Sequence, residues 1–411
     1  MTRALAHVLG GGLTLSGAVM LVLHGLLLFG TVGDIGGPRE VSGLAGFGAA
    51  MFVAGLLVEA SLVRRRGRDL VRSMRFPPVW LSAALFLIVT GVGAVLVWRD
   101  AAQGVEPFLV VLGMALLFFG IIRLATSWAP ARRAPGYVIL RSTAWGMLGA
   151  TTLAIVMQLT IAGVAIAGVG SGLYIADPDL LDGFLDRVGE EGSLDEFTGE
   201  IAGTVTVAIG IVSMYALVAP LTEEFTKFLG VVLAMRGREL TPYTVFVAGI
   251  CSGLGFAVVE TMGYALASGE SWPLLMAIRG PVALVHVTGT TLLAFGWYLQ
   301  RTRGGFPLVW YYIVAVGVHG AWNGLTASML VAASGVNESA DPSVSVLLAV
   351  LGVLGLLGFT LMACVWWIVA NARHWGRQYQ SAQAIASVVP SSLPPPVNRV
   401  TVISGTAPGE V

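Results

Sequence analysis

Seven side chains in the second half of the sequence have the types and spacing for hydrolytic chemistry in a place where water is scarce. Glu223, Glu224 and Lys227 lie in the apolar stretch "ALVAPLTEEFTKFLGVVLAM" (216–235), and Glu260 lies in "CSGLGFAVVETMGYA". His286 lies in "PVALVHVTGTTLLAFGW", and His319 with Asn323 lies in "VAVGVHGAWNGLTA". Lys227 is the only lysine among 23 basic residues. A charge at the centre of a bilayer costs on the order of 2.5–3.5 kcal/mol on insertion scales, so groups of this kind are rare without a task. Glu223 and Lys227 are four residues apart, as are His319 and Asn323, which stacks each pair on one face of its helix. Glu224 lies about 100° around the helix from Glu223. One carboxylate can therefore pair with the lysine while the other addresses a cavity.

A carboxylate in a poorly solvated cavity takes a proton from water more readily than one in bulk solvent. An imidazole nearby can hold that water, or share it through a metal. His319 with Asn323 can donate hydrogen bonds to the oxygen of a tetrahedral intermediate. The set suffices to hydrolyse a peptide bond without a serine or cysteine nucleophile. It also suffices for a divalent metal such as zinc, held by Glu223, Glu260, His286 and His319 with one position open. No HExxH is present, which excludes a zincin helix. Each residue alone has a plainer reading: an ion pair for Glu223 with Lys227, helix packing for Glu260 or a lone histidine, a helix-to-helix bond for Asn323. Four successive apolar segments that each carry a polar anchor argue against coincidence.

The elements that must position these groups follow from composition. Of 411 residues, 56% are apolar and 11% charged, the balance of an all-α polytopic membrane protein. A net charge of zero argues against a nucleic-acid partner. Cys251 and Cys364 fall in separate apolar segments and make neither a disulfide framework nor a metal pair. Ten windows have the length of a span: 8–30, 43–62, 78–98, 107–127, 144–174, 203–235, 243–267, 281–299, 308–332 and 343–370. The first exceeds twenty residues with no convincing cleavage site, so it reads as a retained helix. Pro220 is expected to kink the sixth and free carbonyls upstream, and Gly249 with Gly253 forms a close-packing GxxxG pair. The bundle of spans six to nine is the expected catalytic core. At about 1.5 Å per residue its acids and imidazoles converge in the outer half of the bilayer.

Arginine runs at 64–75, 131–133, 236–238, 301–303 and 371–377 share one side of an alternating ten-span arrangement, which predicts cytoplasmic termini. The opposite loops include "GESWPLLMAIRG" and the stretch 177–200, whose nine carboxylates accompany apolar residues at helical spacing, an outer amphipathic helix. The chain thus divides into a four-helix membrane region (1–142), a core (143–370) and a cytoplasmic, disordered Pro/Ser-rich tail (371–411).

"APLTEEFTK" with its EExxK, "GLGFAVVE" with FxxxE, the histidine of the eighth span and "HGAWN" with HxxxN resemble the PrsW family of intramembrane proteases. That family is similar to the CAAX prenyl endopeptidases. The resemblance implies a bacterial inner-membrane enzyme that cleaves a single-span membrane protein near or within the lipid bilayer, such as an anti-sigma factor in stress signalling. It implies a site of Glu223, Glu224, Glu260, His286 and His319, supported by Lys227 and Asn323. PrsW proteins are classed with metalloproteases, whereas CAAX enzymes activate water with Glu and His directly. The expected roles are Glu223 or Glu224 as general base, His286 as holder of water or metal, and Glu260 as ligand or proton shuttle. Lys227 would neutralise one of the adjacent carboxylates, and His319 with Asn323 would stabilise the oxyanion. Two other readings compete. A proton-coupled transporter would use the same groups, but spans one to five carry no matching charges. A non-catalytic scaffold that binds membrane segments would not need the full polar set.

Overall fold

In the computed structural model the described residues are 77–99, 105–126, 136–176, 209–238 except 211, 240–334, 344–388 and isolated positions between 11 and 56. Among them there is no strand. The helices are α1 (Val79–Trp98), α2 (Glu106–Thr126), α3 (Gly136–Ala144), α4 (Thr151–Ala176), α5 (Ala219–Met235), α6 (Pro242–Ala267), α7 (Trp272–Arg279), α8 (Ala283–Arg303), α9 (Pro307–Ser334) and α10 (Val344–Val388). A π-turn (Trp145–Ala150) joins α3 to α4, and a second (Met214–Val218) runs into α5.

Six stretches among the described residues are long and apolar enough to cross a bilayer, which makes this a multi-pass membrane protein: Val79–Trp98, Phe108–Ala125, Gly136–Ala165, Pro242–Leu266, Gly269–Arg303 and Val350–Trp375. The expected spans 203–235 and 308–332 are represented by α5 with its π-turn and by α9, outside those six. Spans 8–30 and 43–62 fall where only isolated residues are described, and the acidic stretch 177–200 lies outside the described residues. Two expectations change. The fifth span starts earlier than 144, because α3 and the π-turn continue into α4 across the 142/143 position. The tail is not irregular from 371: α10 continues to Val388, and the residues after it lie outside the described residues.

The core sits on α6. Of its spanning window 83% is buried, against 17% for that of α10, so α6 is wrapped by protein and α10 faces outward. Thr241 caps α6 in a reciprocal box with Thr244, and Pro242 occupies the first turn. The GxxxG pair lets α6 meet α8 backbone to backbone. A methyl group on Gly253 would stand 2.7 Å from the His286 carbonyl oxygen, and one on Gly249 would stand 3.0 Å from Thr291 Cα.

Pro220 has no N–H to offer the carbonyl four residues back, and the chain widens into the π-turn there. Gly320 of α9 fits against the Ala216 carbonyl of that turn, where any side chain would collide. The segment 269–280, expected to be an outer loop, is instead a short 3-10 turn followed by α7. Its Trp272 and Met276 are buried with Phe86, Val110 and Met114, tying α7 to α1 and α2. The reason is apolar: two large side chains four residues apart give this stretch one face to bury.

Candidate active site

Helix α5 carries three of the seven residues, and its neighbours hold it by its backbone. Tyr312 of α9 donates to the Leu221 carbonyl (2.7 Å), Trp145 of the first π-turn to the Thr226 carbonyl (2.9 Å), and Ser252 of α6 to the Lys227 carbonyl (2.7 Å). Three elements thus fix the axial position and rotation of the nearly two turns from Leu221 to Lys227. Ser252, Phe256 and Glu260 recur at intervals of four on α6 and therefore share the face turned to α5 and α8.

The seven predicted residues meet in one connected cluster. Glu260 Oε2 lies 2.8 Å from His286 Nε2. His286 Nδ1 accepts from Lys227 Nζ at 2.9 Å. Lys227 donates to Glu224 Oε1 at 2.6 Å, and His319 Nδ1 reaches the same oxygen at 2.9 Å. Asn323 Nδ2 stands 3.3 Å from His319 Nε2. The ammonium also lies 4.7 Å from the centre of the Phe256 ring, and the two imidazole rings meet edge to face at 4.8 Å.

The lysine's close partner is a correction to the spacing argument. Glu223, four residues away, is 3.9 Å from Lys227 Nζ, whereas Glu224, three residues away, is at 2.6 Å. Both spacings lie on one helix face. The choice falls to Glu224 because the amine must also reach His286 on α8. Glu224 is completely buried, and its second oxygen lies against Gly289, where a methyl group would come within 2.6 Å of it.

Hydrogen-bond bookkeeping fixes both imidazoles. A lysine amine has only hydrogens to offer, so Nδ1 of His286 accepts and the ring proton sits on Nε2, facing Glu260. His319 gives its Nδ1 proton to Glu224 and receives the Asn323 amide at Nε2. Its Nε2 is then an acceptor, 3.6 Å from Glu223 Oε2, a buried oxygen that makes no hydrogen bond. Two acceptors at that distance repel unless a proton donor or a cation lies between them.

Two further residues complete the site, and sequence reasoning did not single them out. Arg279, at the end of α7, lies 2.8 Å from Glu260 Oε1 and over the Tyr264 ring at 3.9 Å. Glu260 and Arg279 retain 16% and 20% side-chain exposure while Glu224, Lys227, His286 and His319 are buried, so the cluster reaches the surface on this side. Gln158 of α4 donates to Glu223 Oε1 at 3.2 Å. A neutral glutamine carries no charge signal, and Arg279 was legible only as a loop charge.

The donor set fits a divalent metal in part as it stands. Glu223, His286 and His319 each offer one ligand atom, all within 4.8 Å of one another and all buried. The unpartnered Glu223 oxygen is available to a cation, and the His319 Nε2 lone pair becomes so once the Asn323 amide is displaced from it. His286 would ligate through Nε2 only as its other tautomer, with Lys227 passing a proton to Nδ1 while Glu260, 2.8 Å away, takes the one on Nε2. Glu260, expected as a ligand, is engaged by Arg279 and His286 and lies outside this trio.

A family model described as PrsW family intramembrane metalloprotease matches residues 134–356, just over half of the chain. No curated protein and no solved structure matches.

Proposed function

Since the chain belongs to the PrsW family of intramembrane metalloproteases, we propose that it cleaves single-span membrane proteins with Glu223 as the general base. The observation that carries this reading is the state of Glu223. One of its oxygens is held by Gln158, and the other, buried and unbonded, faces the unprotonated nitrogen of His319. A water donating to Oε2 gives that proton to Glu223 as its oxygen attacks the scissile carbonyl. The carboxyl then returns that proton to the leaving amine. Asn323 has a second amide hydrogen for the developing oxyanion. His319 does not donate from Nε2 in this tautomer, so the oxyanion role expected of both falls to Asn323.

Glu224 and Lys227 act on the imidazoles rather than on substrate. Glu224 holds the His319 proton on Nδ1, and Lys227 holds the His286 proton on Nε2. A divalent cation such as zinc, if held by Glu223, His286 and His319, would polarise the carbonyl and acidify the water, and Glu223 would then act as ligand in place of base. Substrate reaches the cluster from the side of Glu260 and Arg279. The arginine runs support a bacterial inner-membrane orientation with both termini cytoplasmic, ten spans in all, and a core of α5, α6, α8 and α9. An anti-sigma factor is the substrate type that the resemblance to the PrsW family implies.

The test is cleavage of a single-span substrate by purified protein in liposomes. Wild type is expected to cut it, and Glu223→Ala and His286→Ala are expected not to, while still inserting into the membrane. Loss of activity in chelator, restored by zinc, assigns the metal-assisted route, and persistence in chelator assigns direct hydrolysis. Full cleavage by both variants overturns the proposal.

A further inference from the structure

We propose that Gln158, on α4, is a positioning residue for this reaction: its amide fixes one oxygen of Glu223 so that the other stays free for water. The inference rests on the role of Glu223 proposed above and extends the site to a helix that carries no charge in its spanning part. Gln158 Nε2 lies 3.2 Å from both Glu223 Oε1 and Thr222 Oγ1, and its two hydrogens serve one each. Thr222 directs its own hydroxyl proton at the Val218 and Ala219 carbonyls, 3.0 Å away in each case. Its lone pair is thereby left for Gln158, and the amide is anchored to the backbone where the π-turn meets α5.

The reason such a device is needed is Lys227. Its amine is 3.9 Å from Glu223 Oε2, so a modest rotation of a free carboxylate would close a second ion pair and take the base out of use. Holding Oε1 blocks that rotation. A purely structural role explains less. Interhelical hydrogen bonds in membranes average about 0.6 kcal/mol. Beyond Gln158 the side chains of Leu159 and Val164 are 68% and 69% exposed, so little packing follows that the bond would secure.

The test compares wild type with Gln158→Leu and Gln158→Glu in liposomes. The first removes the donor, and the second keeps the shape but offers only acceptors. We expect kcat to fall roughly a hundredfold in both, the size of effect that misplacing a reacting group produces. KM, binding of an uncleavable substrate peptide and the melting temperature of Gln158→Leu should be unchanged. Unchanged kcat in Gln158→Leu overturns the proposal, as does a fall in kcat accompanied by equal losses in peptide binding and melting temperature. Failure of wild type to show any Glu223-dependent cleavage would instead remove the catalytic reading itself.

Discussion

Two adjacent glutamates in one helix face different surroundings. Glu224 takes Lys227 and His319 on one oxygen, and Glu223 takes Gln158 on one of its own. Each keeps a second oxygen without a hydrogen bond: that of Glu224 is shut against Gly289, that of Glu223 faces His319 Nε2 at 3.6 Å. That the two carboxylates would not serve the lysine equally was legible from the 100° between neighbours on a helix. Which one would pair was not, because positions three and four residues away share a face and the decision lies with His286 on another helix. Lys227 ties three side chains of the cluster together. It is fully buried and touches Glu224, His286 and the face of Phe256. Replacing it with methionine leaves Glu224 without a cation, and breaking a buried pair in this way costs about 3–5 kcal/mol. Lys227→Met is therefore expected to melt at a markedly lower temperature in detergent; a wild-type melting curve would contradict the assignment.

At the scale of elements, catalytic geometry depends on how closely helices approach. The face of α8 carries Gly289 opposite Glu224, and a methyl group there would press within 2.6 Å of the carboxylate. Gly289→Ala should displace Glu224, disturb His319 through it and lower kcat roughly a hundredfold. Gly163→Ala on α4, with nothing within 4 Å of the added carbon, should leave activity unchanged. Equal kinetics for the two variants would show that the α5–α8 approach does not govern the site. The sequence revealed this layer unevenly. Gly249 with Gly253 was readable as a contact pair, and Pro220 as a disturbance of its helix, and α6–α8 packing and the π-turn answer to them. Helix α7 was hidden because its stretch is too short for a span and reads as an outer loop. Its packing on α1, α2 and the end of α6 brings Arg279 to Glu260.

For the whole molecule, composition alone set the class: a chain so apolar, with so few charges, has to satisfy its backbone in helices within a bilayer. The same scarcity exposed the site, since Glu223, Glu224, Glu260, His286 and His319 were conspicuous against an apolar background. Gln158 was not, because a lone neutral amide in a span has no such contrast. Family membership favours hydrolysis over proton-coupled transport for these groups, and the account of that hydrolysis turns on one free carboxylate oxygen. The most direct measurement is kcat for Glu223→Gln beside wild type, on protein shown to melt at the same temperature. Because Glu223 Oε2 has no hydrogen-bond partner to lose, the fold should be unaffected, while loss of the base should lower kcat by about 10²–10⁴-fold. Wild-type turnover by Glu223→Gln would contradict the account.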